Sequence, residues 1–268
     1  MKRMASITIV VLGAMWVASS FFTAPASIAE ELINYHCSNQ VFRSIEKYKV
    51  DAFSKATGIN VKVKTASSDS CILAMMRGFS DLASSARALD SRHKDYGYTQ
   101  VPFCKDHLAV FVNANCAVDN LTEEQLEDIF SGDITNWQDV GGPDLPITVV
   151  VPEKDTAANK NFRRLIMKHK DLRSDYIAYN STAVIEAIKY FPCGAVSFIS
   201  YGAIADEKAV KALKIDNLSP AQNEYPYYQI FYYVTKGEPS GAVKKFIDFT
   251  FSDAGRELIT RHGMIPME

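Results

Sequence analysis

The sequence predicts an α/β protein of two lobes, each a mixed sheet flanked by helices, with two chain crossings between them. Two observations carry this. Short β-prone runs alternate with helix-length segments from Leu32 onward, and the alternation starts afresh in the middle of the chain. No internal repeat, low-complexity tract or long linker separates the halves, which suits a chain that passes out of one lobe and later returns to it.

Each element has a local reason. Leu32–Tyr35 reads as a short strand and Val41–Thr57 as a helix with apolar residues near helical spacing, closed by Gly58 as a C-cap. Asn60–Lys64 alternates polar and apolar residues and reads as a strand. After the polar cluster Thr65–Ser70, a helix is expected from about Cys71 to Arg77, ended by Gly78. Leu108–Asn113 is a continuous apolar run, too short for a helix and suited to a buried strand. Leu121–Phe130 reads as a helix that Asn120 or Thr122 can cap. Ile147–Val151 and Ala195–Ile199 read as strands, Asn159–Lys170 and Ala183–Tyr190 as helices. Tyr228–Val234 is strongly β-prone, and Gly241–Phe251 and Ala254–His262 read as closing helices.

The start of the chain has the three-part layout of a secretory leader. Lys2 and Arg3 precede an apolar run from about Ile7 to Phe22, and Pro25 and Ser27-Ile28-Ala29 follow. Residues 1–29 are therefore expected to be a signal peptide cleaved after Ala29. A membrane anchor is the competing reading of that run, which the small residues after it disfavour. Of 29 Lys and Arg against 31 Asp and Glu, the leader takes Lys2 and Arg3 and no acidic residue, so the remainder is mildly acidic and lacks an electrostatic footprint for nucleic acid. All five cysteines follow the leader, none at CxxC spacing, which speaks against a zinc ribbon, a thioredoxin-type site and covalent haem. An odd count in an oxidising compartment leaves at least one thiol unpaired.

The run Ile129-Phe130-Ser131-Gly132-Asp133-Ile134-Thr135-Asn136-Trp137, followed by Gly141-Gly142-Pro143, joins Thr235-Lys236-Gly237-Glu238-Pro239-Ser240-Gly241 near the C-terminus. With these segments in order, the chain resembles the substrate-binding proteins of bacterial phosphate ABC transporters, which have the type II periplasmic binding-protein fold. The resemblance implies a first lobe from residues 30–112 and 230–268 and a second from 113–229, with crossings near Val112-Asn113 and Gln229-Ile230. It implies a soluble, monomeric periplasmic protein that clamps a small ligand, a phosphate-like oxyanion or related species, and delivers it to an ABC permease. No cofactor, resident metal or catalytic residue is expected, since no nucleophile, base and orienting acid form a recognisable motif.

The site of such a protein holds an oxyanion by backbone N–H groups at helix N-termini, by hydroxyls and by a few charged groups. Three loops fit to different degrees. In His36-Cys37-Ser38-Asn39-Gln40, Ser38 and Asn39 are candidates, either as ligand contacts or as ordinary helix caps. In Ser67-Ser68-Asp69-Ser70-Cys71-Ile72, Ser68 and Ser70 keep hydroxyls, while Asp69 and its neighbours stand where the family uses glycine. A carboxylate such as Asp69 at a helix start already satisfies the dipole that a bound anion would. Within Ser80–Leu89, Ser85 and Arg87 are candidates; Ala86 stands where some phosphate binders place an Asp, and a rim salt bridge competes as the role of Arg87. In Val151–Asn159, Pro152 replaces the family's Arg and Thr156-Ala157-Ala158 replaces Ser-Gly-Thr, leaving Lys154, Thr156 and Asn159 as candidate contacts.

Cys37, Cys71 and Cys104 fall near the expected cleft. A disulfide within this group, Cys71 with Cys104 first, competes with a thiol cluster for a thiophilic ion or metalloid, in a sensory binding protein that signals to a membrane kinase. Cys116 and Cys193 are expected in the second lobe, away from that cluster. The aromatic run Tyr225–Tyr233 reads as a buried strand with alternate tyrosines at the surface, or as the lining of an organic-ligand cleft.

Overall fold

A computed structural model of the protein describes residues 31–168 and 170–268. The expected signal peptide lies outside them. Among the described residues no helix is long and apolar enough to cross a membrane.

Strands β1 (Leu32–Ser38), β2 (Asn60–Ala66) and β3 (Leu82–Ser85) run parallel with β1 central. Alternate residues of β1 point inward: Ile33, Tyr35 and Cys37 are buried while Leu32 and Asn34 are exposed. The helix after β1 spans residues 39–57, with a π-helical stretch over Phe42–Glu46, and Gly58 ends it in the left-handed conformation at φ 73°. The next helix, Ser68–Met76, starts ahead of the expected Cys71, because Ser67 caps it by accepting from Ser70 N at 3.2 Å.

Strand β4 (Tyr98–Asn113) is far longer than the apolar run that announces it. Its first part, Tyr98–His107, pairs with β11 (Tyr228–Lys236), and its last part, Leu108–Asn113, pairs with β8 (Ala195–Ser200) and β9 (Val210–Ala212). The polar residues Lys105, Asp106 and His107 mask the first part in the sequence. The partner change falls at His107/Leu108, ahead of the Val112-Asn113 point suggested by the resemblance. Leu108 N donates to Tyr227 O at 2.9 Å just before β11 begins.

In the second half, β5 (Asn120–Leu121) and β10 (Lys214–Ile215) form a separate small sheet, while β6 (Thr148–Pro152) lies between β7 (Tyr176–Ala178) and β8. The last strand, β12 (Ile265–Pro266), returns to β4. The Glu123–Ser131 helix is fixed by a capping box between Thr122 and Gln125 and ended by Gly132 at φ 97°. Trp137 is fully buried, and a Cβ at Gly142 would sit 2.8 Å from Val118 Cγ2 and 3.0 Å from the Trp137 carbonyl oxygen, so any side chain there would force its neighbours to shift.

Two principal cores follow this division. One packs Ile33, Tyr35, Phe53, Phe103 and Tyr233 with Phe246 and Ile259 of the closing helices; the other packs Leu108, Val110, Trp137, Phe162 and Phe198 with Tyr225. Leu108–Val112 supplies both faces of its sheet, Leu108, Val110 and Val112 to one side and Ala109 and Phe111 to the other, which explains its unbroken apolar character.

Candidate functional site

Four helix starts converge on one cleft between the two halves. Its volume is about 260 Å³, and its lining includes Ser38, Asn39 and Gln40, Ser67, Ser68 and Ser70, Pro152 with Asp155–Ala158, and Tyr179, Asn180 and Ser181. The opening N–H groups of a helix have no carbonyl partner within it and carry the positive end of the dipole. Three starts are capped by side chains: Ser67 accepts from Ser70 N, Thr156 from Asn159 N at 3.2 Å and Asn180 from Ala183 N at 2.9 Å. Ser38 makes no capping bond to its own helix.

Ser38 instead belongs to a buried hydroxyl chain. Ala86 N donates to Ser68 Oγ at 3.1 Å, Ser68 Oγ donates to Ser38 Oγ at 3.2 Å, and Ser38 N donates to Ser84 Oγ at 3.1 Å. The chain fixes the loops after β1, β2 and β3 against one another and leaves the Ser38 hydroxyl proton free to point into the cleft. Gln40 adds a donor. Only 4% of it is exposed, it lines the cleft, and its Nε2 is buried without a partner. An orphaned amide of this kind costs about 1–3 kcal/mol, which a ligand acceptor would offset. None of the lining residues is Lys or Arg, while Glu153 and Asp155 belong to the lining.

The cations lie just beside the cleft. Asp69 in the first turn of Ser68–Met76 accepts from Lys160 Nζ of the opposite half at 2.6 Å and from Arg87 of its own half. Burial by itself would raise the Asp69 carboxyl, but the hydrogen bonds and charges of Arg87 and Lys160 outweigh it and hold the group below the usual carboxylate range. Asn161 Nδ2 of the second half reaches Ala86 O at 3.0 Å and Gln229 Oε1 at 2.8 Å, adding a second cross-connection. Behind it a larger cavity of about 560 Å³ touches Arg87, Lys160, Arg164, Tyr228 and Tyr232, but no helix cap residue opens into it.

The expected residues therefore separate. Ser38, Asn39, Ser68, Ser70 and Thr156 line the cleft. Asp69 and Arg87 do not; they pair with each other within one half, and Asp69 also pairs with Lys160 across the flank of the cleft. Ser85 is buried and turned to its own backbone, donating to Arg87 O at 2.7 Å. Asn159 is buried and donates to Pro152 O at 2.7 Å, and Lys154 is exposed outside the lining. Gln40, Asn180 and Ser181 were not among the candidates. Gln40 falls in the expected loop His36–Gln40 but stands where a hydroxyl would be usual, and the cap signal in Tyr179-Asn180-Ser181-Thr182 is hidden by the helix expected from Ala183.

The thiols depart from expectation. No disulfide joins Cys71 to Cys104: both are free, with Cys104 in the core under the N-terminal helix and Cys71 on the opposite face of the sheet with Ile72, Ala83 and Val234. Cys37, Cys71 and Cys104 are buried and none lines the cleft; burial pushes the Cys71 thiol up to about 12 and the other two upward as well. Among the described residues no three His, Cys, Asp or Glu side chains are grouped to hold a metal ion. Tyr225 and Tyr227 are buried in the second core and Tyr233 in the first, so the aromatic run does not line the cleft.

A family model described as the PBP superfamily domain matches residues 26–254. The chain belongs to the PBP superfamily. It is similar to the Phosphate-binding protein PstS of Bacillus subtilis, 30% identical over 166 residues that cover 60% of this chain and 55% of that protein. Among solved structures it is similar to a putative phosphate ABC transporter substrate-binding protein of Clostridium perfringens with bound phosphate, at 25% identity and a TM-score of 0.80, covering 89% of this chain and 100% of that one. An ABC-type phosphate transport receptor of Vibrio cholerae gives 27% identity and a TM-score of 0.65, covering 88% and 100%.

Proposed function

We propose that this chain is a periplasmic solute-binding protein that closes two lobes on a phosphate-like oxyanion and passes it to an ABC permease, acting as a monomer and without covalent chemistry. The observation that carries the reading is the convergence of four helix starts, two from each half, on one cleft. The names of its relatives and structural neighbours support the ligand class and the transport role. We assign residues 31–107 and 228–268 to one lobe and 108–227 to the other, on the partner change of β4 and the two cores.

The anion is held by dipoles, the Ser38 hydroxyl and the Gln40 amide, with no cation in the lining; the Thr156 hydroxyl caps its helix and donates to Glu153 O at 2.7 Å. Pro152 at the position of the family's Arg removes contacts worth roughly 1.5–3 kcal/mol, about one to two decades in affinity. Phosphate is therefore expected to bind more weakly than with that Arg present. Binding biases the hinge equilibrium because only the closed form brings both pairs of helix starts to the ligand. The test is calorimetric titration with phosphate, arsenate, sulfate and molybdate on the wild type and on Gln40→Leu. Oxyanion binding that weakens at least about tenfold in the variant supports the reading. Absence of binding by every oxyanion overturns the ligand class, and binding untouched by the variant moves the site elsewhere.

A further inference from the structure

Cys116 and Cys193 stand outside the cleft and its hydrogen-bond network. Cys116 follows the end of β4 and packs into the second core, and Cys193 occupies the turn before β8 with a left-handed backbone at φ 55°. Separated by 77 positions in sequence, their sulfur atoms lie 2.6 Å apart. Both are free thiols, yet their sulfur atoms lie closer than unbonded atoms of that size rest, about 3.5 Å for the smaller carbon, so the pair stands within reach of a bond. The other three cysteines are fully buried in the first half.

We propose that Cys116 and Cys193 form a disulfide-forming dithiol site, whose co-reactant is a small-molecule or protein disulfide. Cys193 is partly exposed and Cys116 only 3% exposed, so Cys193 meets the oxidant first. Its thiolate bonds to one sulfur of the oxidant and breaks the oxidant's S–S bond, releasing one thiolate. The Cys116 thiolate then attacks the Cys193 sulfur, forms the internal bond and expels the second thiolate. The two cysteine protons end on the two expelled thiolates, and the two electrons given up by the cysteines reduce one disulfide to two thiols. Burial, with the adjacent Cys193 adding to it, pushes the Cys116 thiol up to about 11, so its thiolate is scarce near neutrality and the internal step relies on the closeness of the two sulfur atoms.

The bond ties the end of the crossing strand to the turn entering β8. It encloses the segment bearing the Thr156 and Asn180 caps, so it restricts the unfolded chain of the half that supplies two of the four helix starts. The test uses the intact protein, equilibrated with oxidised glutathione, then denatured and titrated for thiols, with peptide mapping under non-reducing conditions. Of the five cysteines, Cys37, Cys71 and Cys104 should remain titratable, one cross-linked peptide should join Cys116 to Cys193, and reduction should restore the full count and lower the Tm. All five titrating after oxidation, or a cross-link through another cysteine, overturns the proposal. A Cys116→Ser/Cys193→Ser variant whose Tm still falls on reduction would do the same.

Discussion

The ion pair between Asp69 and Lys160 should act as a closure latch, and its effect on affinity can be worked from the structure. The two groups meet at 2.6 Å across the seam, with side-chain exposures of 37% and 36%. Direct Coulomb attraction at that distance is several kcal/mol even at surface dielectric. Lost side-chain freedom, desolvation and salt screening cut the net value of partly exposed pairs to about 0.5–1 kcal/mol. Because the pair forms only when the halves are together, removing it shifts the hinge equilibrium toward the open form by that amount. Lys160→Met should therefore raise the apparent Kd for phosphate about two- to fivefold at low salt. Asp69→Asn should do the same, and the double variant should add little, since each single change already removes the same contact. Calorimetric titration at low and high salt measures this, and the differences should shrink at high salt. Single variants with unchanged or tighter affinity, or a double variant that simply sums the two, would refute the latch.

Three further outcomes follow from the same geometry. Lys49 and Glu46 pair at 2.7 Å with both side chains fully buried, so Lys49→Met should cost about 3–5 kcal/mol in urea unfolding by stranding the carboxylate; a loss below about 1 kcal/mol would contradict this. Burial raises Asp106 to about 8, against an unfolded value near about 4, so the folded state holds a proton the unfolded chain has released between those values. Its contribution is complete below about 4 and fades as pH rises toward 8, and Asp106→Asn should flatten that decline in thermal melts; a wild-type contribution that instead grows with pH over this window would be inconsistent. Alkylation of the native protein should leave Cys37, Cys71 and Cys104 unmodified and phosphate binding intact, as mass spectrometry and calorimetry would record; modification of Cys37 in the folded protein would place that thiol in contact with solvent.

Much of the architecture was legible because it is written in local chemistry. Alternation in Asn60–Lys64, the apolar run Leu108–Asn113 and the glycine stop at Gly58 each correspond to an observed element. The first part of β4 was not legible, since Lys105, Asp106 and His107 interrupt the pattern and the partners of Asp106 include Gly202 N and Ser200 from the other half. At the site, hydroxyls at helix starts were readable for Ser38, Ser68 and Thr156. The direction each side chain takes was not: Ser85 folds back on its own turn, and Asp69 is drawn off by a lysine far away in sequence. Gln40 was invisible for the complementary reason, because an orphaned donor is defined by what surrounds it and not by its residue type.

The most direct measurement is a crystal structure determined with phosphate. The account predicts a single anion in the cleft, accepting from the Gln40 amide, the Ser38 hydroxyl and backbone N–H groups at the starts of the helices capped by Ser67 and Thr156. An anion found instead among Arg87, Lys160 and Arg164 in the larger cavity, with the cleft empty, would contradict it.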